Sequence, residues 1–139
     1  MAEANDLPDW VSVGAKVAEV TGHGFTRNVI TLTVERLTDT QVVCGGYPYG
    51  RNPVRRFRRS TLRLVGESYG PELMPLDAPE VRSTRARRAV EEVAREAGRL
   101  VRDCGTDEEN YRAALDQIEQ LARDVRTRLG WNTNLEAQR

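Results

Sequence analysis

Lysine is almost missing from this chain. Lys16 stands alone beside twenty arginines in 139 residues. That bias reflects GC-rich codon usage more simply than selection for bidentate guanidinium contacts, so each arginine carries less functional weight than its charge suggests. Histidine is as scarce. His23, between Gly22 and Gly24, is the only one, and with no serine or cysteine in a nucleophile motif beside it, it reads as an exposed loop residue rather than a general base. The same Gly22-x-Gly24 lacks the rest of any phosphate-loop pattern and opens no helix, so it reads as a turn.

Cys44 and Cys104 are the only cysteines. They fall in different parts of the expected fold, and neither has a second cysteine or a histidine at zinc spacing. A disulfide framework and a structural metal site are therefore not expected, buried apolar roles are, and a reducing cytoplasm fits. Aromatic residues make up 6% and apolar residues 39% of the chain, which leaves a thin core or one shared with a partner. The stretch Met1-Ala2-Glu3-Ala4-Asn5-Asp6 lacks the charged start and apolar run of a signal peptide, and no later segment has the length to cross a membrane. No catalytic residues, cofactor or small-molecule substrate are expected.

Formal net charge is zero, but residues 1–66 hold nine Lys/Arg against six Asp/Glu and residues 67–139 hold twelve against fifteen. Two parts of opposite sign follow, able to attract one another or separate partners.

Strand signals crowd the first part. Leu7, Trp10 and Val11 form an arm expected to lie on a β-fold whose first strand is Val13–Val20. Val29–Leu37 has the β-branched content and alternation of a strand, with Ile30, Leu32 and Val34 facing in. Thr38-Asp39 then turns it into a hairpin with Thr40–Cys44. After a loop from Gly45 to Pro53 come a fourth strand, Val54–Arg58, a helical turn at Ser60–Leu62 and a fifth strand, Leu62–Val65. Five short strands without an intervening helix predict a small five-stranded β-barrel, which removes its own edges.

The pattern Thr33-Val34-Glu35-Arg36-Leu37-Thr38-Asp39-Thr40-Gln41-Val42-Val43, followed by Arg56-Phe57-Arg58-Arg59-Ser60-Thr61-Leu62-Arg63-Leu64-Val65-Gly66, resembles small uncharacterised proteins of actinobacteria and their bacteriophages. Its strand order is similar to an SH3-like barrel, over roughly residues 13 to 66. The resemblance implies a phage or phage-derived accessory protein of the bacterial host cytosol and names no target.

Residues 67–79, with Gly70, Pro71, Pro75 and Pro79, read as a semi-rigid linker. Asp77 and Glu80 mark the start of a helix that runs to about Asp103, with Ala86, Val90, Val93, Ala97, Leu100 and Cys104 spaced alternately by four and three. Gly105 can take the left-handed position that ends it, and Thr106-Asp107-Glu108-Glu109 reads as a capping box for a second helix. There Tyr111, Leu115, Ile118, Ala122, Val125 and Leu129 repeat the spacing, and Gly130 stops it. An α+β fold is predicted: the barrel over 1–66, the linker, an antiparallel coiled-coil-like helical hairpin over 80–130 and a tail over 131–139, with Trp131 near the bundle end.

Such a hairpin buries one stripe per helix. Its seam (Val90, Val93, Ala97, Leu100, Leu115, Ile118, Val125, Leu129), widened by Ala89, Ala94, Val101, Ala114 and Leu121, calls for a second surface. A homo-oligomer, favoured as a dimer, or a host protein would supply it.

The other candidate site is basic. Arg51, Arg55, Arg56, Arg58, Arg59 and Arg63 fall within thirteen residues that contain no acid, with Tyr47 and Tyr49 just upstream. Arginines on phosphates and tyrosines stacked on bases are the combination of single-strand binders on small barrels, so nucleic acid is the second candidate partner. The plain alternative is a solvated strand pairing with acids of the helical half. Alternation along the strand places Arg56 and Arg58 opposite Phe57, and Arg55 and Arg59 on its side. The predicted recognition surface is therefore Tyr47, Tyr49, Arg51, Arg56 and Arg58.

Overall fold

Five strands and two long helices make up the computed structural model, which describes residues 6–67 and 69–131. The strands are β1 (Lys16–Thr21), β2 (Asn28–Leu37), β3 (Gln41–Gly45), β4 (Arg55–Arg58) and β5 (Glu72–Met74); the helices are α1 (Pro79–Asp103) and α2 (Glu108–Arg128). Part of the expected arm and the tail after Trp131 lie outside the described residues. The chain divides into two units, one ending at Thr84 and one beginning at Arg85.

In the first unit all pairings are antiparallel, in the order β4-β3-β2-β1-β5. The sheet curls into a half-barrel because its two edges share a neighbour: Leu64 bridges to Phe57 of β4 and Arg63 bridges to Glu72 of β5. The β2–β3 turn forms where Thr38-Asp39 predicts it. The Thr38 Oγ1 accepts the Gln41 N–H at 2.9 Å, and the Thr38 N–H bonds the Gln41 carbonyl at 2.9 Å.

Two expectations are corrected. The fifth strand is Glu72–Met74, within the stretch read as linker, while Leu62–Val65 contributes isolated bridges. A three-residue strand just after Pro71 is too short for alternation to reveal. β1 starts at Lys16 rather than Val13, because the left-handed backbone at Gly14 (φ +89°) turns the chain just before it.

The concave face holds the main core: Val11 of the arm with Val17, Leu32, Val34, Val42, Cys44, Phe57 and Leu73, against which Leu7, Trp10, Ile30 and Tyr47 pack. The opposite face of β1 and β2 is also covered. Ala18, Val20 and Val29 form a second cluster with Ala78 and Val81, so the first turn of α1 belongs to this unit. With both faces of β1 buried, its sequence KVAEVT does not alternate.

The second unit carries the rest of α1 and all of α2. Gly105 takes the left-handed backbone (φ +95°) after α1. The cap of α2 is Asp107 rather than Thr106, and its side chain makes no capping hydrogen bond. The first-turn carboxylates Glu108 and Glu109 still complement the helix dipole. At the far end Gly130 (φ +78°) closes a Schellman motif, its N–H bonded to the Thr127 carbonyl at 3.1 Å and the Trp131 N–H to the Arg126 carbonyl at 2.6 Å. Trp131 itself is exposed. No helix among the described residues is long and apolar enough to cross a membrane.

Candidate functional site

The arginine cluster divides along β4. Phe57 is fully buried, Arg55 and Arg59 on its side of the strand are half-buried, and Arg56 and Arg58 are exposed. Three of the six cluster arginines are turned to the chain itself. Arg55 bonds Glu19 through Nε at 2.8 Å and through Nη2 at 3.0 Å. Arg59 pairs with Asp6 at 3.0 Å and donates to the Thr38 carbonyl at 2.8 Å. Arg63 lies 3.5 Å from Glu72 and donates to the Gly70 carbonyl at 3.3 Å. The partner acids are thus Asp6, Glu19 and Glu72 of the sheet unit, not acids of the helices.

Glu19 is the residue that sequence reasoning missed. It faces the core side of β1, opposite Ile30 of β2 and Leu73 of β5 in register, and is 2% exposed. A buried carboxylate there requires a cation, and Arg55 supplies one. These hydrogen bonds raise the Arg55 pKa above the ordinary arginine value, against its own partial burial. The guanidinium carbon of Arg55 also sits 4.1 Å from the Tyr47 ring centroid. Tyr47 in turn meets Tyr49 edge to face at 5.6 Å, with the rings 76° apart. A chain of three contacts, Glu19 to Arg55, Arg55 to Tyr47 and Tyr47 to Tyr49, therefore leads from the core to the loop.

The five predicted surface residues consequently play two roles. Tyr47 is half-buried and occupied by Arg55, which makes it a support. Tyr49, Arg51, Arg56 and Arg58 are exposed. Arg56 reaches only the Gln41 side chain, at 3.3 Å, and Arg51 and Arg58 make no ion pair among the described residues. Exposed here are thus one aromatic ring and three guanidinium groups, with Arg56 and Arg58 on the face of β4 opposite Phe57 and Tyr49 reaching, through Tyr47, Arg55 on Phe57's side.

The other candidate residues behave simply. His23 is exposed at the start of the 3-10 turn Gly24–Thr26, where its backbone N–H bonds Thr26 Oγ1 at 3.3 Å. Burial, with the negative charges of Glu19 and Glu35, pushes the Cys44 thiol up to about 12, which removes the thiolate needed for a nucleophile. No cluster of three or more metal-ligating side chains occurs among the described residues.

In the second unit the buried side chains are Ala89 and Ala114, each one position before a predicted seam residue. Val93, Ala97, Leu100, Ile118, Val125 and Leu129 are half-buried, whereas Val90 and Leu115 are 52% and 54% exposed. Arg128, at the end of α2, reaches Glu92 in the middle of α1 at 3.7 Å. Val93, Ala94, Gly98, Leu121 and Val125 line a groove of about 760 Å³ in this unit.

The chain matches no family model, no curated protein and no solved structure.

Proposed function

We propose that this is a non-enzymatic, phage-type interaction protein. In this reading the half-barrel is an SH3-like module that presents Tyr49, Arg51, Arg56 and Arg58 to a partner, and α1 and α2 form a coiled-coil-like hairpin that joins two copies. The phage-type part rests on the sequence resemblance alone.

One observation carries the reading. Among the described residues from Arg85 onward only Ala89 and Ala114 are buried, while Val90, Val101, Tyr111 and Leu115 stand in water. Full burial of a side chain of Val or Leu size from full exposure is worth about 1.5–3 kcal/mol, so covering the exposed remainder of these four offsets part of the cost of association. A second copy fits because charge does not oppose it: residues 85–131 hold ten arginines and ten acids. Light scattering on the full chain with Val90→Glu and Leu115→Glu tests this. Both positions are exposed in the single chain, so fold stability should hold to within about 0.5 kcal/mol while the dimer is lost. A dimer that tolerates both substitutions would refute the assignment.

A second reading, nucleic-acid binding, is favoured by the outward set Tyr49, Arg51, Arg56 and Arg58. Three phosphate contacts give a slope of log K against log salt of about −2 on a single strand. Anisotropy with a labelled single-stranded oligonucleotide measures it, and no binding at low salt would sink this reading.

A further inference from the structure

Arg36 shares a sheet face with Arg56 and Arg58. In register, Arg36 of β2 stands opposite Val43 of β3 and Val43 opposite Arg56 of β4, so one valine separates two arginines across three strands. Residues directly opposite in a sheet point to the same face. That face is the one away from Phe57, because Val42, next to Val43, joins Phe57 in the main core. Gln41 and Arg58 form the adjoining row, and the Gln41 side chain accepts a hydrogen bond from Arg56 at 3.3 Å. On the other side Gly45 stands opposite Thr33, and Thr33 opposite Lys16 of β1, so the single lysine points the same way. Lys16, Arg36, Arg56 and Arg58 are all exposed, and none makes an ion pair among the described residues. Glu35, at the register shift just before Arg36, is the carboxylate beside them; its side chain lies against Gly45 and pairs with none of the four. The apolar part of this face, Ala18, Val20 and Val29, is covered by the start of α1, whereas the cationic part is bare. Codon bias accounts for arginine in place of lysine, not for four cations without acid partners on one face.

We propose that this bare sheet face holds the phosphates of a single-stranded nucleic acid. This rests on the nucleic-acid reading above, adds Arg36 and Lys16 to it, and places the strand on the sheet rather than on the Tyr49 loop. Spacing supports a regular polyanion. Arg56 and Arg58 are two residues apart on β4, about 7 Å along the strand, and Arg36 and Arg56 are two strands apart, about 10 Å. Backbones so spaced direct the four cations to successive phosphates rather than to one. A flat sheet face suits a single strand, since the grooves of a duplex take a helix or a two-stranded ribbon.

Fluorescence anisotropy of a labelled thymidine oligonucleotide with the full chain, over a series of salt concentrations, tests the face. Arg36→Gln and Lys16→Gln should each weaken binding at least about threefold and make the slope of log K against log salt shallower by about 0.7, the loss of one phosphate contact. Glu35→Gln removes the neighbouring negative charge and should tighten binding. Arg123→Gln, the same loss of charge on an exposed position of α2, should change neither affinity nor slope. All four positions are exposed, so each variant should keep the wild-type circular dichroism. A wild-type chain that binds while Arg36→Gln and Lys16→Gln alter nothing would overturn the sheet face and leave the nucleic-acid reading standing on Tyr49 and Arg51. Labelled polyglutamate bound as tightly as the oligonucleotide would overturn nucleic acid as the occupant. No binding of the oligonucleotide at low salt would overturn the face and the nucleic-acid reading together.

Discussion

Glu19 and Arg55 form a bidentate ion pair on the concave side of the sheet, at 2.8 and 3.0 Å, with Glu19 2% and Arg55 22% exposed. The pair joins β1 to β4, strands that are not neighbours in the sheet. Removing one partner strands the other charge. Glu19→Ala should therefore destabilise the protein by about 2–4 kcal/mol, below the full buried-pair cost because Arg55 retains some water. Replacing both residues by leucine should recover most of that loss. Urea unfolding of the three chains measures it, and a near-neutral Glu19→Ala would show that the pair is not structural.

Gly22 and Gly14 have similar backbones, with φ of +79° and +89°, but different surroundings. A Cβ on Gly22 would lie 2.6 Å from the Thr26 carbonyl oxygen, whereas one on Gly14 meets nothing within 4 Å. Gly14→Ala should cost about 1–2 kcal/mol, the left-handed penalty alone. Gly22→Ala adds a clash with backbone that cannot swing aside, so its midpoint of thermal unfolding should fall further. Equal shifts would count against the turn geometry.

The two thiols should differ in reactivity. Cys44 is fully buried with its pKa pushed up to about 12, whereas Cys104 is half-buried. One equivalent of an aromatic disulfide reagent should react with the native chain near neutral pH and two in denaturant. The sign of the pH effect follows from the same shift. Because the folded pKa lies above the ordinary 9.0, Cys44 contributes full stability below pH 9. That contribution is lost as pH rises from 9 toward 12, by at most about 1.4 kcal/mol per pH unit. Cys44→Ala should flatten this part of the stability curve.

Much of this fold is legible in the residues because local and global signals agree. Alternation in β2 and the Thr38-Asp39 turn specify the central hairpin, and four-three spacing with Gly105 and Gly130 brackets the helices. Phe57 as a core anchor follows from the strand period. The rest depends on distant partners. β5 is three residues long, and the carboxylate of Glu19 is tolerable in the core only because Arg55, 36 residues away, returns to it. The four-three spacing does not single out Ala89 and Ala114, the buried positions from Arg85 onward among the described residues, because apolar spacing alone does not rank neighbouring positions by burial.

Sedimentation equilibrium of the unmodified chain from low to high micromolar concentration tests the central claim, that a second copy completes the apolar face of α1 and α2. The average mass should rise from the 15.7 kDa of one chain toward twice that value. A mass that stays at 15.7 kDa throughout would contradict it.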